Sequence, residues 1–304
     1  MKAIFANKRG IENIEIRDIA IPKIKQNEVL IKIKAIGVNP VDWKGLESGE
    51  FGDSYILGTD ISGVIEKIGS EVTRFKIGDA VIGSLDFNKQ GAYAEFVASE
   101  EKFLASKPKN VTFQEAAAIP MSSLTAWQGI FDTLGVVRNE KVVIQAAAGA
   151  VGIFALQFAK WTGAFVIAIT SEKNTAFIRS LGADMVIDYT KIDFSEVLEH
   201  IDAVFDSVET EAKAFKVLKK GGKYVGISSL STPISETLIA QYDVSASKYL
   251  FQSNNVQLEK IVALIEGEKV KVFIDTVFSI TEVKEALKYQ KRGHSRGKNI
   301  LVFD

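Results

Sequence analysis

No cysteine occurs in this 304-residue chain, which removes disulfides, iron–sulfur clusters, thiolate catalysis and any cysteine-based zinc site. Histidine is nearly absent as well. The two present, His200 and His294, lie far apart without ligand spacing, so no metal site is expected. His200 reads as the end of a helix, facing its last carbonyls. Charge of one sign is also lacking: 37 Lys and Arg against 38 Asp and Glu give a net charge of −1. That offers no field for nucleic acid or an anionic membrane. No apolar run approaches the ~18 residues that span a bilayer, and Met1–Asp18 hold no apolar signal core. The expectation is a cytoplasmic protein with neither nucleic acid nor membrane as partner. What remains is 47% hydrophobic and 25% charged, the composition of a folded globular chain long enough for two domains.

The most informative stretch is Lys141–Asn174. The β-branched run Val142–Ile144 reads as a buried parallel strand. Only small residues follow, Ala146 to Ala150, with Gly149 and Gly152 three apart. Apolar residues then return at helical spacing at Val151, Phe154, Ala155, Phe158 and Ala159, until Gly163 stops the helix and Phe165–Ile169 forms a second strand. Strand, small-residue turn, helix and strand make the βαβ unit that opens a dinucleotide fold. A pyrophosphate belongs at such a helix N-terminus, where free N–H groups and the helix dipole favour an anion and small side chains permit close approach. The first glycine of G-x-G-x-x-G is replaced by Ala146; the candidates for backbone contact are Ala148, Gly149, Ala150, Val151 and Gly152. The alternative is a sheet whose glycines serve only close helix–strand packing.

The second strand ends in Thr170-Ser171, with Lys173 following. An NAD site usually carries Asp or Glu there for the ribose 2′-OH. Two hydroxyls and an ammonium suit a 2′-phosphate instead, which points to NADPH, provided Glu172 turns to solvent. Ser171 or Asn174 as a helix cap is compatible with this.

Before this unit the chain reads as short strands with glycine corners: Ala3–Phe5, Ile14–Ile16, Glu28–Ala35, Ile61–Ile68, Ala80–Gly83 and Gly91–Val97. They suggest a partly closed β-barrel-like domain. Helical stretches Thr112–Ala118 and Ser122–Thr133 flank Pro120. After the βαβ unit, helices at Thr175–Leu181, Phe194–Glu199 and Ala212–Lys219 alternate with strands at Met185–Ile187, Ala203–Phe205 and Tyr224–Ile227. Gly182 and Gly221-Gly222 read as helix C-caps. Tyr242–Phe251 reads as a further strand at the sheet edge. Helices Leu258–Glu266 and Glu282–Tyr289 and strand Asn299–Phe303 close the chain.

Gly37-Val-Asn-Pro-Val-Asp-Trp-Lys44, Gly58-Thr-Asp-Ile-Ser-Gly-Val64, Gly78-Asp79, Gly91-Ala-Tyr-Ala-Glu95, Leu124-Thr-Ala-Trp127, Leu181-Gly-Ala-Asp184, Asp188-Tyr189 and Arg296-Gly-Lys-Asn299 together resemble the medium-chain dehydrogenase/reductase superfamily. The resemblance runs over essentially the whole chain and is to the zinc-independent quinone oxidoreductase and enone reductase branch. It implies an α/β protein with a GroES-like β-rich catalytic domain (residues 1–122 and 252–304) and a Rossmann doubly wound parallel sheet domain (residues 123–251). Zinc-dependent relatives have Cys at the place of Asn39 and His at that of Thr59, and carry a four-cysteine lobe missing here. The implied reaction is therefore hydride transfer from NADPH to a quinone or an α,β-unsaturated carbonyl, a small electrophile held without zinc.

By the resemblance, Asn39 lies beside the nicotinamide and is the first choice for an acceptor-side hydrogen bond; an Asx-turn before Pro40 is its alternative. Asp42 and Lys44 are further candidates, with surface pairing as the plain explanation. Tyr93, in a glycine-flanked strand, offers a hydroxyl, or else packs in the core. Thr125 resembles the family threonine near the nicotinamide, with a local cap early in its helix as the alternative, and Tyr189 the tyrosine near the adenosine phosphate. Ser207, Val208 and Ser228 fall at strand carboxyl ends, on the nicotinamide side, and Phe251 and Asn254 line the cofactor. Asp60 and Asp79 read as structural turn residues, and Arg296 and Lys298 as reaching either phosphate or solvent, with solvent preferred. Two rivals stand beside this assignment: an NADPH-binding sensor without turnover, and a zinc-free alcohol or aldehyde dehydrogenase. A homodimer is expected, with Tyr242–Phe251 pairing edge to edge with its twin.

Overall fold

The computed structural model describes residues 1–49, 55–86, 89, 91–227 and 232–303. Two compact units emerge: Met1–Met121 with Ser253–Asp304, and Ser122–Gln252. The first unit begins with β1 (Lys2–Ala6), β2 (Ile14–Asp18) and the long β3 (Glu28–Val38), followed by α1 (Pro40–Ser48) and β4 (Tyr55–Ile56). Then come β5 (Asp60–Ile68), β6 (Ala80–Ser84), β7 (Phe96–Glu100), β8 (Leu104–Ser106) and α2 (Phe113–Ala117). Thr112 caps α2, accepting the Glu115 N–H while Glu115 reaches back, as its Thr-x-x-Glu spacing dictates. α3 (Pro120–Trp127) follows, and Gln128–Thr133 extends it with π-helical turns.

The second unit alternates strand and helix: β9 (Lys141–Ile144), α4 (Ala150–Thr162), β10 (Phe165–Thr170), α5 (Thr175–Ser180), β11 (Met185–Asp188), α6 (Phe194–Val197), β12 (Ile201–Asp206), α7 (Glu211–Val217), β13 (Leu218–Gly226), α8 (Glu236–Tyr242) and β14 (Ser245–Lys248). Its six strands run parallel in the order β11-β10-β9-β12-β13-β14. The order reverses between β9 and β12, and that is the switch point at which an open α/β sheet takes a ligand, outside the strand carboxyl ends. The continuous apolar strands Val142–Ile144 and Val204–Phe205 are fully buried, as a sheet covered on both faces requires. Trp127, Phe131 and Phe158 pack α3 and its extension on α4, with ring centroids 4.4 to 5.8 Å apart.

The chain returns to the first unit through α9 (Asn255–Glu266), β15 (Ile274–Ser279), α10 (Val283–Arg292) and β16 (Lys298–Val302). Here a seven-stranded sheet has the order β15-β16-β3-β5-β6-β8, with β7 also on β3. Its core is built from Ile4, Val29, Ile31, Ile36, Ile61, Ile65, Val81 and Leu301, all at most 1% exposed. The α/β class and the GroES-like and parallel-sheet layers match the expectation. Among the described residues, no helix is long and apolar enough to cross a membrane.

Several local expectations are corrected. Only Ser245–Lys248 of Tyr242–Phe251 is strand: Tyr242 ends α8, packed on the sheet core, and Asp243 turns the chain with φ +52°. Residues 91–95 precede β7 rather than join it: they form an isolated bridge, Ala3 with Ala94, and main-chain hydrogen bonds to Lys2, Ile4, Ile33, Leu57 and Gly58. Gly221-Gly222 lie within β13, not past a helix end. They absorb the mismatch where Ile201 pairs with Leu218 but Ala203 with Lys223. α6 stops at Val197, so His200 sits in the following turn with φ +55°.

Candidate active site

The turn after β9 is built by three main-chain hydrogen bonds. Gln145 N–H donates to Phe205 O (3.0 Å), Ala147 N–H to Ile169 O (3.0 Å) and Gly149 N–H to Ala146 O (2.9 Å). Ala146 takes φ +46°, the left-handed region in which a Cβ costs about 1–2 kcal/mol. Gly149 is the N-cap of α4 and provides no side-chain cap. The turn packs so closely that a Cβ on Gly152 would stand 2.4 Å from Ala146 O and 2.8 Å from Ala147 Cα. At Gly149 the nearest atom would be 3.3 Å away. The expectation of bare amides from Ala148 to Gly152 is therefore corrected at Gly149, whose N–H closes the turn. Ala148 is buried, whereas Gly149, Ala150 and Val151 are partly exposed at the helix start.

At the end of β10, Thr170 is buried and its hydroxyl accepts from Asn174 Nδ2 (3.4 Å), which also reaches Ser171 Oγ (3.3 Å). Ser171 stays half-exposed and Lys173 exposed. Glu172 pairs with Lys191 at 2.7 Å on the surface, which turns its charge outward. Tyr189 is half-exposed, and its N–H donates to Thr170 O (3.2 Å), placing it beside the same strand end. The structure thus gathers Thr170, Ser171 and Tyr189 at one place, with Lys173 in the turn that follows.

At the end of β12, Asp206 is fully buried. One carboxylate oxygen accepts Val208 N–H (2.7 Å); the other accepts Thr210 N–H (2.6 Å), Thr210 Oγ1 (2.8 Å) and Tyr224 OH (3.0 Å). Burial, then the Asp206 charge, pushes the Tyr224 phenol well above its ordinary pKa, so it stays a donor. Ser207 Oγ lies 3.5 Å from Gln145 O, and Val208 is half-exposed. Thr125 is buried in α3, and its carbonyl accepts from Tyr249 OH. Phe251 adjoins Gln252, which Gln128 clamps at both N–H and O. Ser228 lies outside the described residues.

In the first unit the candidates form a buried polar cluster. Asn39 is 2% exposed: Nδ2 donates to Asp60 Oδ2 (3.1 Å), and Oδ1 accepts from Lys298 Nζ (2.5 Å). Lys298 Nζ also donates to Asp60 Oδ2 (3.1 Å), while Asp60 Oδ1 accepts Met121 N–H (3.1 Å). Gly37 leaves room for this, since a Cβ there would meet Ala117 O at 2.5 Å and Lys298 Cε at 2.9 Å. Lys298 is therefore not solvated, and Asp60 is no turn residue but the buried first residue of β5. Asp42 Oδ2 accepts Asn39 N–H (2.7 Å) and Tyr93 OH (2.8 Å). Asp42 is 2% exposed and Tyr93 0%, so Asp42 does not pair on the surface and the Tyr93 hydroxyl is spent inside the core. Burial raises the Asp42 carboxyl to about 7, against the lowering pull of Asn39 N–H, Tyr93 OH and Lys298. Burial, and then the facing Asp42, lifts the Tyr93 phenol well above its usual value. Asn254, expected against a cofactor, instead caps α9 by accepting Gln257 N–H (3.1 Å).

The sequence matches two family models: an alcohol dehydrogenase GroES-like domain over residues 25–109 and a zinc-binding dehydrogenase domain over residues 181–301. The 2-methylene-furan-3-one reductase of Solanum lycopersicum is 38% identical, covering 93% of this chain and 74% of that protein. The chloroplastic NADPH-dependent alkenal/one oxidoreductase of Arabidopsis thaliana is 36% identical, over 99% of this chain and 79% of that one. The chain belongs to the medium-chain dehydrogenase/reductase superfamily, in its quinone oxidoreductase branch. The quinone oxidoreductase structure from Coxiella burnetii superposes with TM-score 0.93 at 30% identity, covering 100% of this chain and 99% of that one.

Within this superfamily member, the parts that sequence reasoning missed are the polar partners Asp206, Gln145 and Thr210, and the burial of Lys298. Asp206 carried a signal: a carboxylate ending an apolar parallel strand at the sheet's ligand-facing end. Gln145 and Thr210 carried none, being ordinary polar residues of loops. Lys298 adjoins an apolar run, Ile300–Val302, and only the pairing of β16 with β3 brings it to Asn39.

Proposed function

We propose that the protein is an NADPH-dependent, zinc-free oxidoreductase that reduces a quinone or a carbonyl-conjugated carbon–carbon double bond. The observation that carries this is the turn at Gln145–Gly149, packed so tightly on α4 that Gly152 has no room for a Cβ, at a helix start without a side-chain cap. The residues present fit a dinucleotide. The first-turn amides of Ala150, Val151 and Gly152, with the α4 dipole, receive the pyrophosphate. Ser171 and Lys173 receive the 2′-phosphate while Lys191 holds Glu172 aside, and Thr170 supports them through Asn174. Tyr189 serves the adenosine side, and Ser207, Val208, Ser228, Thr125 and Phe251 the nicotinamide side. When bound, NADPH supplies the hydride from its nicotinamide ring. The chain's part is to bind and orient, which is where such an enzyme finds most of its rate.

We assign residues 123–251 to nucleotide binding and residues 1–122 and 252–304 to the acceptor. Asn39, Asp42 and Tyr93 then shape the acceptor domain from within instead of touching the acceptor, because all three are buried and bonded to protein. Zinc does not fit at Asn39 and Thr59. The Lys298 ammonium already sits on Asn39 Oδ1 and Asp60 Oδ2, and a divalent ion there would face a fixed cation at hydrogen-bond range. The relatives' names, a 2-methylene-furan-3-one reductase and an alkenal/one oxidoreductase, support the acceptor class.

The proposal extends to a cytoplasmic homodimer in which β14, the edge of the parallel sheet, pairs with its twin. Sizing at micromolar concentration tests the dimer, and cell fractionation tests the compartment. The function is tested by following NADPH oxidation with a panel of enals, enones and quinones. Turnover supports the proposal. Tight binding without oxidation of any member would favour a sensor, and alcohol-dependent NADP reduction a dehydrogenase.

A further inference from the structure

The switch point of the parallel sheet lies between β9 and β12, and the loops leaving these two strands are cross-linked by side chains. Asp206 accepts from Val208 N–H, Thr210 N–H and Thr210 Oγ1 on its own loop, and from Tyr224 OH on β13. Thr210 Oγ1 accepts in turn from Gln145 Nε2 at 2.9 Å, and Gln145 is the first residue of the turn that leads into α4. Asp206 is 0% exposed, Tyr224 1% and Gln145 2%. The loop held this way is not relaxed: Glu209 at its centre takes φ +60°, a conformation that persists only where surroundings over-determine it. The amides of Val208 and Thr210 are consumed inward by Asp206.

We propose that Asp206 and Thr210 are positioning residues: through the chain Asp206–Thr210–Gln145 they fix the Ser207–Val208 loop relative to the phosphate turn, and so set where the nicotinamide half of the nucleotide lies once its phosphates are seated. This rests on the NADPH assignment above. It assigns a function to the buried Asp206 and Gln145 and to the partly exposed Thr210 that links them.

Asp206→Asn would present an amide N–H to groups that are themselves donors and could unfold the sheet, so the test falls on Thr210. Thr210→Val keeps the shape and removes the hydroxyl that both donates to Asp206 and accepts from Gln145; Thr210→Ser keeps it. Affinities for NADPH and for adenosine 2′,5′-bisphosphate, which lacks the nicotinamide half, are measured by titration calorimetry alongside thermal unfolding. The expected result is NADPH weakened about tenfold in Thr210→Val, with the bisphosphate within about twofold of wild type and Thr210→Ser restored for both. Unchanged NADPH affinity in Thr210→Val overturns the inference. So does an equal loss for the two nucleotides, or a loss confined to the bisphosphate, since each signals general loosening of the sheet or an effect on the phosphates alone. Wild-type protein that binds neither nucleotide removes the NADPH assignment itself, a result distinct from all of these.

Discussion

Replacing Gly152 by alanine adds one methyl group and tests the proposed role of the turn between β9 and α4 in nucleotide binding. The new Cβ would stand 2.4 Å from Ala146 O and 2.8 and 2.9 Å from the backbone of Ala147, and none of these is a side-chain end that can swing away. Restoring an ordinary separation near 3.4 Å moves the start of α4 by about 1 Å from the turn. Overpacking of this kind costs about 1–3 kcal/mol. A 1 Å misplacement of a binding group is worth up to about 100-fold in function. Gly149→Ala is the matched control, because its Cβ would come no nearer than 3.3 Å to Ala146 O and its φ of −74° suits any residue. Urea unfolding and NADPH titration of both variants give the comparison. Gly152→Ala should lose about 1–3 kcal/mol and weaken NADPH at least about tenfold, whereas Gly149→Ala should stay within about threefold. A folded Gly152→Ala protein with wild-type NADPH affinity would refute the reasoning, since the close approach of turn and helix would then serve nothing.

Ala146→Gly should stabilise the protein by about 1 kcal/mol, because it relieves a left-handed Cβ; a loss of stability in urea would mean that the φ of +46° carries no strain. Lys173→Ala should weaken NADPH much more than NADH, and equal losses would contradict a 2′-phosphate contact. The raised Asp42 carboxyl favours the protonated form on folding, so its contribution is full below the unfolded value near 4 and is lost as pH rises through about 7. Thermal unfolding of wild type should accordingly drop between pH 5 and pH 8 by more than that of Asp42→Asn, and parallel profiles would count against the assignment. Lys298→Met should leave Asp60 buried without its cation and cost about 3–5 kcal/mol. A denaturation midpoint near wild type would show that the pair contributes little.

Much was decided by the sequence alone. The strand Val142–Ile144, the small-residue turn, the α4 periodicity and Gly163 are local signals, each with one cheap conformation, so the βαβ unit was legible without coordinates. The hydroxyls and lysine after β10 were legible for the same reason, as were the missing cysteines that bear on zinc. Tertiary structure alone decided which polar groups face inward. Asn39 with Asp42, Asp60, Tyr93 and Lys298 come from four separate segments, and nothing in their neighbours says that β16 lies beside β3 and delivers an ammonium to Asn39. Likewise Gln145, Asp206 and Thr210 meet only because β9 and β12 are neighbours across the switch point. Backbone conformation is set by residues close in sequence, whereas burial and pairing of a charge depend on partners brought up from far along the chain.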